Sequence, residues 1–61
     1  MKIKPNMDIR AKTASYGICL WEVAAELGIL DSALSRKMRK ELSEQEKQKI
    51  FDAIDRIVAR G

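Results

Sequence analysis

Residues 20–40, LWEVAAELGILDSALSRKMRK, run as an apolar stripe to a glycine, break briefly, and resume in a segment that closes with four bases in five residues, Arg36 to Lys40. In the first half Leu20, Val23, Ala24 and Leu27 recur at spacings of three and four, the helical period, with Glu22 and Glu26 on the other side. Gly28, the residue type that enters left-handed backbone most cheaply, predicts a stop there. Leu30-Asp31-Ser32 opens a third segment in which Asp31 suits an N-cap or a first-turn acid. Leu34 and Met38 lie four apart on one face, while Ser35, Arg36, Arg39 and Lys40 point elsewhere. A link of about three residues forces the two helices to cross steeply, so a small side chain is needed where their backbones meet. Ala24 has that size, and Ile29 can plug the corner.

Working outward, Pro5-Asn6 closes a segment, residues 1–6, that reads as a flexible N-terminal arm ahead of a single domain over residues 7–61. A first helix is expected from about Asp8, an acid suited to the positive end of the helix dipole, to Tyr16, with Gly17 as its stop. Beyond the basic run, Ser43 and Glu46 have the spacing of a capping box, and Ile50, Phe51, Ile54, Ile57 and Val58 form a helical stripe up to Gly61. The expected fold is all-α and compact, without strands or repeats.

The chain has 61 residues and 46% apolar composition, room for one small core and no roomy catalytic cleft. Twelve Lys and Arg against nine Asp and Glu give a net charge of +3. By segment the surplus falls on residues 1–18 (+3) and 31–42 (+2), against −2 for 19–30 and zero for 43–61, so the bases gather on the N-terminal arm and the third helix. With no histidine and a single cysteine, Cys19, an internal disulfide is impossible and His/Cys metal sites are effectively excluded. A reducing, cytoplasmic setting fits. No apolar run approaches the roughly 20 residues of a membrane span, and no signal core follows the basic start. No cofactor, small-molecule ligand or membrane partner is expected, and no acid, base and oxyanion site assemble into an enzyme.

Ala24, then Gly28 four residues on, Ile29, and Leu34 five further, resembles the helix-turn-helix of the Cro and phage-repressor family, the XRE family. Glu22, the run SRKMRK and the segment LSEQEKQKIFDAIDRI fit the same pattern, and the resemblance covers roughly residues 8–58. Three positions depart from it. Cys19 and Leu30 stand where Ser or Thr caps are usual, and Met38 serves as a core residue one place later than in the best-known repressors. The resemblance implies a lambda-repressor-like domain of four to five helices, the fourth and fifth merged or one missing. It also implies sequence-specific binding to double-stranded DNA with the third helix in the major groove, by a small transcriptional regulator, a repressor, of a phage or mobile element.

Carried over by offset from Gly28, the base-reading positions are Asp31, Ser32 and Arg36. Arg36 is the strongest of them because its guanidinium fork matches guanine O6 and N7, whereas Asp31 is better suited to capping than to reading cytosine. Ser35, Lys37, Arg39 and Lys40 suit phosphates. Ala24, Gly28, Ile29, Leu34 and Met38 form the helix-turn-helix core. Trp21 is expected to pack beside the fourth helix instead of stacking on a base, Cys19 to be a half-buried filler, and Asp52 and Asp55 to pair on the surface with Lys49 and Arg56. A homodimer, meeting through whichever of Ile54, Ile57 and Val58 the core leaves uncovered, would read two half-sites. The rival readings are a protein-interaction module using the apolar face of the fourth helix, and an architectural component of an integration or excision complex.

Overall fold

The computed structural model describes residues 5–61 and folds them into four helices, α1 (Met7–Tyr16), α2 (Leu20–Leu27), α3 (Asp31–Lys37) and α4 (Glu44–Arg60), with no strand among the described residues. α4 is one continuous helix of 17 residues, so no fifth helix is split from it.

Glycine ends the first two helices in the same way. Gly17 (φ 67°) and Gly28 (φ 75°) are both left-handed. In each case the glycine amide and the next amide turn back to satisfy carbonyls of the last turn: Gly17 to Ala14 at 3.1 Å and Ile18 to Thr13 at 2.9 Å, then Gly28 to Ala25 at 3.2 Å and Ile29 to Ala24 at 3.0 Å. A Cβ at either glycine would meet open space, so backbone conformation and not crowding demands the residue. The helix starts are mixed. Ser43 Oγ accepts from the Glu46 amide at 3.3 Å, the hydroxyl half of the expected box. At α2 the weak cap Cys19 is compensated by Glu22, whose carboxylate accepts from the Cys19 amide at 2.8 Å.

α2 is the pivot: it packs against both α3 and α4, while α1 lies on α4. The core they enclose is Ile9 from α1, Val23 and Ala24 from α2, Leu34 and Met38 from α3 and its end, and Ile50, Ala53 and Ile54 from α4, all buried. Alanines 24 and 53 are 1% and 0% exposed, the small residues that let backbones approach. Each fully buried Ile, Leu, Val or Met is worth roughly 1.5–3 kcal/mol, so in so small a core the loss of any one is felt. Ile18, Leu20, Leu27, Ile29, Leu42, Phe51 and Ile57 close around it, half-buried.

One expectation about the ends is corrected and one is resolved. Asn6, read as the last residue of a flexible arm, is 0% exposed and bonded to the segment after α3, because its amide side chain satisfies backbone groups there; residues 1–4 of that arm lie outside the described residues. Of the two places open to Asp31, N-cap or first-turn acid, it takes the second. Leu30 holds the N-cap position in extended conformation without a side-chain bond, and Asp31 is the first helical residue, an acid at the positive end of the dipole.

Candidate nucleic-acid interface

On α3 the apolar pair Leu34 and Met38 faces inward, each 1% exposed, which turns Ser32 and Arg36, one helical turn apart, to solvent. Asp31, Ser35 and Lys37 are exposed as well. The helix stops at Lys37, sooner than the run of bases suggests. Met38 keeps a right-handed backbone at φ −72° and ψ −7°, and the amides of Arg39 and Lys40 reach Arg36 and Lys37 carbonyls at 3.3 and 3.4 Å, tightening the chain into a turn. Arg39 and Lys40 therefore stand on this turn and not on the helix, still exposed and still at the negative end of the α3 dipole. All seven residues expected to face DNA lie on this helix and turn, at the surface.

The pairing of charges sets this surface apart. Lys12 meets Asp55 at 3.1 Å, Lys47 meets Asp8 at 3.0 Å and also Glu41, and Arg56 meets Glu26 at 3.0 Å with Arg60 on the same carboxylate. Among the described residues Arg36, Lys37, Arg39 and Lys40 have no carboxylate within ion-pair distance. Glu41, the neighbour of Lys40 in sequence, is drawn the other way: its carboxylate accepts from the Asn6 amide at 2.8 Å and from Lys47.

These contacts shift the groups involved. The Asn6 amide, then Lys47, hold the Glu41 carboxyl below its ordinary range; the Lys47 hydrogen bond does the same for Asp8, and Arg56, then Arg60, for Glu26. Lys47 is raised by Glu41 and Asp8 in turn.

A groove of ≈ 300 Å³ is lined by Leu27 and Ile29 at the end of α2 and its turn, Leu34 and Lys37 of α3, and Glu46, Lys49 and Ile50 of α4. Lys49 is exposed and, among the described residues, unpaired, so it adds to the free cations beside α3. No cluster of three His, Cys, Asp or Glu suited to a metal occurs among the described residues.

Several expectations about neighbouring residues change. Trp21 does not pack away beside α4: it is 60% exposed, because Leu20, Val23, Ala24 and Leu27 take the inward face of α2. Cys19 is exposed. Asp55 pairs with Lys12 across to α1, and Asp52 accepts from Gln48 at 2.9 Å, so neither takes the partner expected of it. Of the three residues offered for a dimer seam the core covers Ile54 wholly and leaves Val58, 39% exposed, the most open. Sequence reasoning missed Asn6. Its only local signal was Pro5 beside it, and its partners are 32 to 36 residues away.

No helix among the described residues is long and apolar enough to cross a membrane. No protein-family model, curated protein or solved structure matches this chain.

Proposed function

We propose that the chain binds double-stranded DNA through a helix-turn-helix made of α2, the turn Gly28-Ile29-Leu30 and α3, and that it acts as a small transcriptional regulator, a repressor of the Cro type from a phage or mobile element. The observation that carries this reading is the distribution of charge: among the described residues all four cations of α3 and its turn are exposed and unpaired, with Lys49 beside them, while elsewhere Lys12, Lys47, Arg56 and Arg60 are tied to carboxylates and Arg10 is not. DNA carries about one charge per 1.7 Å of axis, and a protein gains affinity by placing free cations where phosphates pass. In this reading Arg36 and Ser32 meet base edges, with Asp31 beside them, and Ser35, Lys37, Arg39 and Lys40 meet the backbone. One recognition helix reads few bases, so two chains on half-sites about 10 base pairs apart supply the specificity.

The test is a salt titration of duplex binding, in which a steep linear fall of log K with log salt is expected. The exposed Trp21 and Leu30, 60% and 74% accessible, favour a second reading, a protein-interaction module. An affinity for duplex that is negligible at low salt would support that reading over DNA binding. Sedimentation of the protein on saturated specific duplex decides between one and two chains.

A further inference from the structure

Asn6 joins the start of α1 to the segment that follows α3. Its backbone is left-handed, φ 61° and ψ 41°, a conformation asparagine tolerates better than most residues, and its side chain is completely buried. The two protons of Nδ2 go to the carbonyls of Met38 at 3.1 Å and Lys40 at 2.9 Å, and Oδ1 accepts from the Leu42 amide at 2.9 Å. The Asn6 amide donates to Glu41 at 2.8 Å and its carbonyl accepts from Arg10 at 3.0 Å. Every polar group of the residue has a partner.

The consequence falls on the cations. α3 ends without a glycine: the amides of Met38, Arg39 and Lys40 turn back onto the carbonyls of Leu34, Arg36 and Lys37, and the carbonyls of the C-cap Met38 and of Lys40 beyond it are met by Asn6. Asn6 supplies donors from across the fold, and one of its two acceptors is the carbonyl of Lys40 itself. It acts a second time through its amide, which holds the Glu41 carboxylate away from the adjacent Lys40. One residue thus bonds the turn that carries Arg39 and Lys40 and, with Lys47, engages the carboxylate next to Lys40 in sequence.

We infer that Asn6 is a positioning residue for the cationic strip, holding Arg39 and Lys40 in line with Arg36 and Lys37 so that all four meet one polyanion. The inference rests on the DNA-binding reading above. Asn6→Asp keeps the shape and the acceptor but sets a carboxylate oxygen against the two carbonyls. Asn6→Gly keeps the left-handed backbone and the amide's bond to Glu41 and removes the three side-chain bonds, and it carries the measurement if the aspartate variant loses its fold.

Two readouts are taken on a folded variant: amide exchange at Leu42 against core amides such as Val23 and Ile54, and the salt dependence of duplex binding. The expected result is lost protection at Leu42 with the core retained, weaker binding, and a salt slope smaller by about one to two as the Arg39 and Lys40 contacts loosen. In addition, Lys40→Ala should cost less in the Asn6 variant than in the parent, since the contact it removes is already weakened. A folded variant with the parent salt slope, and an undiminished effect of Lys40→Ala, overturns the inference and leaves the DNA reading standing. A parent chain that binds no duplex at low salt overturns the DNA reading and the inference together.

Discussion

α4 and the α3 segment carry the same two kinds of cation and use them in opposite ways. On α4, Lys47, Arg56 and Arg60 reach acids of α1, α2 and the preceding turn and Lys49 stays unpaired, whereas Arg36 and Lys37 on α3, with Arg39 and Lys40 beyond it, all face solvent without an acid among the described residues. Exposed ion pairs contribute at most about 1 kcal/mol each, so stability alone explains little of this arrangement. Its larger effect is on the field. Pairing Lys12, Lys47, Arg56 and Arg60 with acids leaves the α3 segment as the densest run of free cations among the described residues, and at about 0.1 M salt only cations within roughly 10 Å of a phosphate act on it strongly. The lesson is that net charge says less than where the acids have been spent.

The change expected to be largest breaks the comparison by removing α3 from its platform. Ala24 is 1% exposed on the helix that α3 packs against, so Ala24→Glu forces a carboxylate into the core at a cost of several kcal/mol. Circular dichroism should show the cooperative melt abolished or shifted far down; an unchanged midpoint would contradict the burial of Ala24.

Smaller changes sharpen the contrast within the cationic segment. Arg36→Ala should cost about 1–3 kcal/mol on the preferred duplex and flatten discrimination at one base pair, while Lys40→Ala should weaken all sequences alike and lower the salt slope by about one. Competition over randomised duplexes at two salt concentrations measures both. Uniform loss from Arg36→Ala would make it a phosphate contact instead.

On the paired side the contrast is read with pH. Asp8, Glu41 and Glu26 have depressed carboxyls, so their stabilisation is complete above the ordinary values of 3.8 and 4.5 and is lost as the pH falls through the lower folded values. Lys47 is raised, so its part is complete below 10.5 and is lost as the pH rises through its folded value. Lys47→Met should therefore shallow both the acid and the alkaline limbs of a melting profile, with the Glu26 part of the acid limb retained. Profiles parallel to the parent at both ends would show that Lys47 carries no such linkage.

The smallest effect belongs to Lys12, which pairs with Asp55 and lies 5.0 Å from the Phe51 ring centre. Lys12→Ala should lower stability by about 1 kcal/mol or less and leave the salt slope of duplex binding as it was. A slope reduced as much as by Lys40→Ala would erase the distinction between the two sets of cations.

Much of the fold is local and was readable as such. The stripes of α2 and α4, the stops at Gly17 and Gly28 and the small Ala24 at the crossing depend on spacings within one or two helical turns, and these are written in the order of residues. Leu34 and Met38 follow from the same period, and with them the outward placement of Ser32 and Arg36. Tertiary structure decided what depends on residues far apart. The end of α3 rests on Asn6 from 32 and 34 residues away, the freedom of Lys40 on Glu41 being claimed by Asn6 and Lys47, and the exposure of Trp21 on which face of α2 its neighbours fill. A sequence shows which side chains can bond or pair; only the packed chain decides which of them meet, because each donor and each carboxylate is spent on the partner that folding brings within reach.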